Sequence, residues 1–228
     1  MTDVIVALDL PTGDAALRLL DRLPEAAWVK VGSILFTREG PALVRTLRAR
    51  GHPVFLDLKW HDIPNTVAGA VEAALEEGVA LATVHTLGGR AMMEAAARAA
   101  AGRMALVGVT VLTSHEAAGF AGVLGREVPD LGTEVRRLAR EAAAAGLDGV
   151  VCSPLEIGLV RPELAAGGWI VVPGIRRADD ALGDQARVGT PGTAAAAGAT
   201  HLVVGRPVLQ AADPGAAYRA LLAEANRV

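Results

Sequence analysis

Residues 54–78 read VFLDLKWHDIPNTVAGAVEAALEEG, and the same pattern of apolar and polar residues recurs along the chain. A short apolar run at residues 54–59 is followed by a polar loop. A longer stretch then carries apolar residues at three- and four-residue spacing, which is typical of a helix with one buried face. The stretch ends in Gly78, and glycine readily adopts the left-handed conformation that terminates a helix. The segment therefore predicts one strand–loop–helix unit.

The same order repeats along the chain on both sides of this unit. The strand candidates are nearly continuous in hydrophobicity, as expected for parallel strands that are covered on both faces. They lie at residues 4–9, 28–32, 54–59, 81–86, 105–113, 149–153, 169–174 and 202–205. Helical patterns lie between them, for example at residues 40–50, 66–77, 89–101, 131–145 and 215–227, with a small-residue helix at 194–197. Four of these helical stretches end in a glycine, namely Gly51, Gly78, Gly102 and Gly146.

Eight strands that alternate with about eight helices in 228 residues predict an α/β fold, the (β/α)₈ TIM barrel, as a single domain over residues 1–228. The alternative is a doubly wound open sheet. A glycine-rich dinucleotide fingerprint after the first strand would favour that alternative, and residues 6–16, VALDLPTGDAA, do not contain one.

Composition excludes several classes of function. The formal net charge is −3 with interleaved acids and bases, so no basic field for nucleic acid is expected. Charges interrupt every apolar run before ~18 residues, which argues against a membrane span, and the N-terminal MTDVIVALDL has no basic patch typical of a secretory signal. The single cysteine, Cys152, fits a reducing compartment and a buried structural position. We therefore expect a cytoplasmic protein.

Lysine is rare in this chain, and its two positions are informative. Lysine and arginine together number 22, but only Lys30 and Lys59 are lysines, and both fall at predicted strand ends. Arginine serves solubility and bidentate pairing, but it does not readily give up a proton. A position that keeps lysine in such a chain is expected to need a compact ammonium group that can transfer a proton. Lys59 is therefore the candidate general acid.

Asp57 and Lys59 alternate along the third predicted strand, so both side chains are expected on the lumen face of the barrel. Asp9, Lys30 and Asp62 add further charge near strand ends, where barrel enzymes hold their active sites. A buried salt-bridge cluster that only stabilises the barrel mouth is the structural alternative. The convergence of several charged groups on one mouth favours a functional site.

A phosphate site is predicted at the other side of the mouth. Gly205 and Arg206 follow the eighth strand, where barrel enzymes often bind phosphate. The planar guanidinium of Arg206 suits a phosphate group, although an isolated arginine is more often a surface residue. Residues 174–190 form a long polar loop that includes Gln185, and such loops often act as lids. The histidines show no zinc-binding spacing, so no metal is expected.

Taken together, these motifs resemble those of the orotidine 5′-phosphate decarboxylase family. The longest is Asp57-x-Lys59-x-x-Asp62-Ile63-Pro64-Asn65-Thr66, and shorter ones occur in the expected order from residue 7 to residue 207. They are Ala7-Leu8-Asp9, Val29-Lys30-Val31-Gly32, Leu112-Thr113-Ser114, Val172-Pro173-Gly174-Ile175-Arg176 and Val204-Gly205-Arg206-Pro207. The resemblance implies loss of carbon dioxide from orotidine 5′-monophosphate without a cofactor, which gives uridine 5′-monophosphate.

The resemblance also implies a role for each site residue. Lys30, Asp57, Lys59 and Asp62 would form a charged catalytic array in a homodimer, with Asp62 and Thr66 contributed across the subunit interface. The substrate-binding residues would hold the ribose (Asp9, Lys30, Thr66), the pyrimidine (Thr113, Ser114) and the phosphate (Arg176, Gln185, Gly205, Arg206), with further contacts from Ile63 and Pro173.

Two other readings fit parts of this pattern. One is a metal-dependent sugar-phosphate decarboxylase or hexulose-phosphate synthase, which shares the D-x-K-x-x-D core but resembles this chain less, because it has a glutamate metal ligand where this chain has Lys30. The other is a non-catalytic barrel that binds phosphate or a nucleotide, which gives little reason to retain Lys59.

Overall fold

The computed structural model describes residues 1–176 and 187–227. Within these residues, eight parallel strands form a closed barrel in which each strand pairs with the next along the chain and β8 pairs with β1. The strands are β1 (Asp3–Ala7), β2 (Val29–Gly32), β3 (Val54–Trp60), β4 (Leu81–His85), β5 (Ala105–Val109), β6 (Gly149–Val151), β7 (Trp169–Val172) and β8 (His201–Val204). The predicted TIM barrel is confirmed, and the doubly wound alternative is wrong because the sheet has no open edge.

Helices cover the outside of the barrel. They are α1 (Gly13–Leu20), α2 (Ser33–Glu39), α3 (Pro41–Ala49), α4 (Pro64–Glu76), α5 (Arg90–Ala100), α6 (Ala117–Leu124), α7 (Leu131–Ala144), α8 (Ile157–Val160), α9 (Pro191–Ala196), α10 (Arg206–Leu209) and α11 (Pro214–Ala225). The four predicted glycine terminators all have positive φ angles, between 70° and 89°. No helix in the described ranges is long and apolar enough to cross a membrane.

The predicted fifth strand, residues 105–113, was too long. The strand ends at Val109, after which both the N–H and the hydroxyl of Thr110 donate to the carbonyl oxygen of Val151. Val111 is still buried, but it lines the mouth of the barrel and no longer pairs in the sheet. The hydrophobicity of these residues therefore reflects burial under the loop after β5, and Thr113 and Ser114 lie in that loop rather than at the strand end.

The apolar core has two parts. Residues on the outward faces of the strands pack against the helices and form the larger part. The smaller part fills the lumen, where Ile5, Phe55, Val107 and Val171 come from alternate strands and stack in the manner typical of such barrels. Because this lumen is filled with side chains, the open space is confined to the mouth at the carboxyl ends of the strands.

Candidate active site

Four charged side chains meet at the mouth of the barrel. The Lys30 ammonium lies 3.0 Å from Asp9 Oδ1 and 3.6 Å from Asp57 Oδ2, and the Lys59 ammonium lies 2.8 Å from Asp57 Oδ1. Asp57 thus bridges the two lysines, and its side chain is only 14% exposed. The only two lysines of the chain therefore both contact one largely buried carboxylate.

Strand alternation positions three of these groups. Each of them lies two residues after a residue that packs in the lumen: Asp9 after Ala7, Lys30 after Trp28 and Asp57 after Phe55. Because side chains alternate along a strand, all three are on the lumen side of the barrel. Gly32 continues this series on β2. A Cβ atom at Gly32 would lie 2.9 Å from the Lys30 ammonium, so the absence of a side chain there leaves the space that Lys30 occupies.

Lys59 departs from ideal strand geometry. Its φ angle is 52°, and the register of β3 with β4 shifts between Leu56 and Trp60. The expected contact between Asp57 and Lys59 is present, but regular pleating does not produce it, because Lys59 has a left-handed backbone. A non-glycine residue in this conformation costs about 1–3 kcal/mol, and such residues cluster at functional sites.

The electrostatics of the cluster keep Asp57 ionised. Burial by itself raises the pKa of the Asp57 carboxyl. The charges of Lys30 and Lys59, together with hydrogen bonds from Lys59 and Thr83, outweigh burial and hold the pKa below its usual range. The site therefore presents a fixed carboxylate between two ammonium groups at neutral pH.

A cavity of about 630 Å³ opens above this cluster. It has a charged side near β1–β3 and a second cationic side near β7 and β8, where Arg176 is buried and Arg206 begins α10. Nine of the residues predicted from the sequence line it, namely Asp9, Lys30, Asp57, Lys59, Thr113, Pro173, Arg176, Gly205 and Arg206. The volume is within the range usual for small-molecule sites, which is roughly 300–1,000 Å³.

The remaining predicted residues lie elsewhere. Asp62, Ile63 and Thr66 are exposed on the loop after β3 and at the start of α4, and they do not line the cavity of their own chain. Ser114 is exposed beside Thr113 and is also absent from the lining. Gln185 and most of the predicted lid lie outside the described residues.

Sequence reasoning missed three polar residues that support the site. Thr83 on β4 accepts a hydrogen bond from the Lys59 N–H at 2.8 Å and donates one to Asp57 at 3.1 Å. Buried Glu156 forms an ion pair with Arg187, and Arg187 also donates to the carbonyl oxygen of Leu112 at 2.9 Å. A signal for Thr83 did exist, because it is a polar residue between the apolar Ala82 and Val84 and is in phase with the lumen-facing Leu81.

Other reactive side chains near the mouth are held in neutral forms. Burial, and then the nearby charges of His61, Lys59 and His115, lower the pKa of His85 to about 4. Burial also raises the pKa of the Cys152 thiol well above its ordinary value, which leaves the thiol protonated at neutral pH. Among residues 1–176 and 187–227, no three histidine, cysteine, aspartate or glutamate side chains are grouped so as to hold a metal ion.

Comparisons with known proteins agree with this geometry. The family model described as "Orotidine 5'-phosphate decarboxylase / HUMPS family" matches residues 2–221. A protein named orotidine 5′-phosphate decarboxylase from Halorhodospira halophila is 54% identical over 230 residues, which cover 97% of this chain and 94% of that protein. A protein of the same name from Alkalilimnicola ehrlichii is 54% identical over 226 residues, which cover 96% of this chain and 94% of that protein.

A solved structure gives the same result at the level of the fold. The crystal structure of orotidine 5′-phosphate decarboxylase from Lactobacillus acidophilus superimposes with a TM-score of 0.87 and 36% sequence identity. The match covers 99% of this chain and 100% of that chain. The barrel, the charged cluster at its mouth and these similarities together show that the chain belongs to the orotidine 5′-phosphate decarboxylase / HUMPS family.

Proposed function

We propose that this chain decarboxylates orotidine 5′-monophosphate to uridine 5′-monophosphate without a cofactor, in the last step of uridine 5′-monophosphate synthesis. The observation that carries the proposal is the Lys30–Asp57–Lys59 cluster beneath a cavity whose opposite side is lined by Arg176 and Arg206. Such a site offers a proton donor to one end of an anionic substrate and guanidinium groups to the other. The single buried thiol accords with reaction in the cytoplasm.

The chemistry follows from the charges. The bond between the pyrimidine ring carbon and the carboxylate breaks, carbon dioxide leaves, and the electron pair stays on the ring carbon. Lys59 places a positive charge where this negative charge develops and then donates a proton to the carbon. Its neutral amine regains a proton from solvent. The net reaction consumes one proton and releases carbon dioxide.

Asp57 has two roles in this scheme. Its carboxylate contacts the Lys59 ammonium at 2.8 Å and holds it oriented toward the cavity. It also places a negative charge close to the substrate carboxylate, which disfavours the bound reactant relative to the transition state. Lys30 offsets part of the cost of burying Asp57, because its ammonium lies 3.6 Å from the second carboxylate oxygen.

The other residues bind the parts of the substrate that do not react. We assign Asp9, Lys30 and Thr66 to the ribose and Thr113 and Ser114 to the pyrimidine. Pro173 and Ile63 make further contacts, and the phosphate is bound by Arg176, Gln185, Gly205 and Arg206. The positions of the described residues around the cavity support this assignment, because Lys59 and the two arginines come from different sides of the barrel mouth.

We further propose that the active form is a homodimer in which Asp62 and Thr66 reach the site of the partner subunit. Both residues are exposed and neither lines the cavity of its own chain. The neighbouring Ile63 is 66% exposed although it is a large apolar residue. Mixing Lys59→Ala and Asp62→Ala subunits, each inactive alone, is expected to restore activity, since one site per heterodimer would then hold both native residues. Subunits that exchange yet stay inactive would refute the shared site.

A direct assay tests the reaction itself. The purified chain is incubated with orotidine 5′-monophosphate, with and without a chelator, and the change in pyrimidine absorbance is followed. We expect turnover that the chelator does not affect. Turnover of a sugar phosphate that the chelator abolishes would instead support the metal-dependent branch of the family. The Lys30 ammonium argues against that branch, because it carries positive charge beside Asp57, where a divalent cation would be repelled.

A further inference from the structure

Thr83 connects the backbone of Lys59 to the carboxylate of Asp57. It lies in the middle of β4 and is 1% exposed. Its oxygen accepts from the Lys59 N–H at 2.8 Å, and its hydroxyl donates to Asp57 Oδ1 at 3.1 Å. A hydroxyl has one donor and two acceptor positions, so both bonds form at once. Because Asp57 Oδ1 also accepts from the Lys59 ammonium, these three residues close a ring of hydrogen bonds.

This ring forms where the sheet is irregular. The pairing of β3 with β4 shifts between Leu56 and Trp60, and at this point the Lys59 N–H donates to a side chain. In the described part of the chain, Lys59 and Ala101 are the only non-glycine residues with positive φ angles. Ala101 ends helix α5, a usual place for this conformation. Lys59 lies inside a strand, so its conformation requires specific support from neighbouring groups.

We propose that Thr83 is a positioning residue, whose hydroxyl holds the backbone of Lys59 in its left-handed conformation and thereby fixes the ammonium relative to Asp57 and the reacting carbon. This inference rests on the proposed decarboxylation. Lys59 is then held at two points, at its N–H by Thr83 and at its ammonium by Asp57. Without the hydroxyl, only the second contact remains, and the strained backbone relaxes.

The expected effect falls on the chemical step. A misplacement of about 1 Å in a catalytic group can cost ~10²-fold in rate. Of the groups assigned to the phosphate, Arg176, Gly205 and Arg206 follow β7 and β8, which are not adjacent to β4 in the barrel, so we expect ground-state binding to be retained. Loss of the Thr83 hydroxyl should therefore lower kcat and leave KM nearly unchanged.

Three variants test this. Thr83→Val keeps the shape of the side chain without the hydroxyl, and Thr83→Ser keeps the hydroxyl. Thr86→Val is the matched control, since Thr86 is also buried and its hydroxyl donates to the carbonyl oxygen of Val109 at 2.8 Å, outside the ring. We expect kcat to fall ~10- to 100-fold in Thr83→Val with KM within about threefold of wild type. Thr83→Ser and Thr86→Val should stay within about threefold of the wild-type kcat.

A crystal structure of Thr83→Val gives a readout that does not depend on activity. We expect Lys59 to leave the left-handed region and its ammonium to move from Asp57. Retention of the wild-type φ angle and of the 2.8 Å contact would overturn the proposal. So would equal losses of kcat in Thr83→Val and Thr86→Val, or a Thr83→Ser variant as impaired as Thr83→Val.

Two further outcomes are distinguishable. If Thr83→Val does not fold, Thr83→Ala is measured with the same expectations. Failure of both to fold, while Thr86→Val folds, would assign the hydroxyl to barrel stability and refute the positioning role. If folded wild-type protein does not decarboxylate orotidine 5′-monophosphate, the proposed function fails, and the crystal structure of Thr83→Val still reports whether the hydroxyl controls the Lys59 backbone.

Discussion

The two ends of the barrel bury opposite kinds of side chain, although the same strands supply both. At the carboxyl ends, Asp57 lies between the ammonium groups of Lys30 and Lys59. At the amino ends, Trp169 stacks on His201 with ring centroids 4.3 Å apart and an angle of 8° between planes. Trp28 meets Trp169 edge-on at 6.1 Å.

This difference separates stability from chemistry. Burial of the aromatic rings at the amino ends is favourable in itself. Burial of ionised groups at the carboxyl ends costs several kcal/mol per ion unless pairing offsets it. A chain selected for stability alone would have little reason to concentrate its only two lysines there. The contrast therefore supports assigning the mouth to function and the aromatic end to closure of the barrel, and four predictions test that division.

The largest effect is expected for Lys59→Ala. Removal of the proton donor and of the charge that stabilises the carbanion should lower kcat by at least ~10⁴-fold. The fold should persist, because the Lys59 side chain is 38% exposed and Asp57 retains Lys30. Steady-state kinetics and thermal melting measure the two effects. Arg90→Ala is the control, since it removes an exposed pair with Glu141 and should change neither. Near-wild-type turnover in folded Lys59→Ala would contradict the assignment.

Substitution at the amino end of the barrel should instead lower stability and leave activity unchanged. Trp169→Ala is expected to lower the free energy of unfolding by about 3 kcal/mol, because it leaves a cavity beside Trp28 and His201. Urea denaturation measures this change, and kcat should stay within about twofold of wild type. Trp169→Phe retains an aromatic ring and should lose much less stability. A large fall in kcat in the folded variant would mean that the two ends are coupled.

Arg206→Ala tests the phosphate side of the mouth. Loss of a charge-assisted contact should lower kcat/KM for orotidine 5′-monophosphate by at least ~10²-fold, or about 2.7 kcal/mol. Binding energy from the remote phosphate would no longer help to organise the site. The slow reaction of orotidine, which lacks the phosphate, should barely change. Equal losses on the two substrates would instead indicate that Arg206 supports the barrel.

The smallest effect concerns acid stability. Burial lowers the pKa of His85 to about 4 at the mouth, and burial also lowers the pKa of His201 at the other end. The unfolded chain therefore binds more protons than the folded chain below about pH 6.5, and stability should fall as pH drops from there toward 4. His85→Gln should reduce this loss by about 1 kcal/mol at pH 5, roughly half of what the full pKa difference would give, because solvent screens the partly exposed imidazole. Denaturation of both proteins at pH 7 and pH 5 measures the fall in the free energy of unfolding. An equal fall in wild type and His85→Gln would show that His85 does not contribute to it.

Much of the fold could be predicted from local sequence patterns. The barrel followed from strands that alternate with helices, and the boundaries were accurate where turn chemistry marks them, as at Gly78 and Gly146. The fifth strand was extended too far because burial of Val111 in the mouth and burial in a sheet produce the same hydrophobic signal. Helix α6 (AAGFAGVL) lies outside the predicted set, since its residues lack the polar face that marks a helix in sequence.

Local patterns predict the barrel and bring Lys30, Asp57 and Lys59 to one mouth, because each lies near a strand end and the carboxyl ends of parallel strands meet at the same face of the barrel. How those groups are supported depends instead on contacts that form only in the closed barrel. Thr83 is 24 residues from Lys59, and Arg187 is 31 residues from Glu156 and 75 from Leu112. The left-handed conformation of Lys59 likewise requires a partner on another strand. Such contacts depend on which distant residues the closed barrel brings together, and no local pattern encodes that.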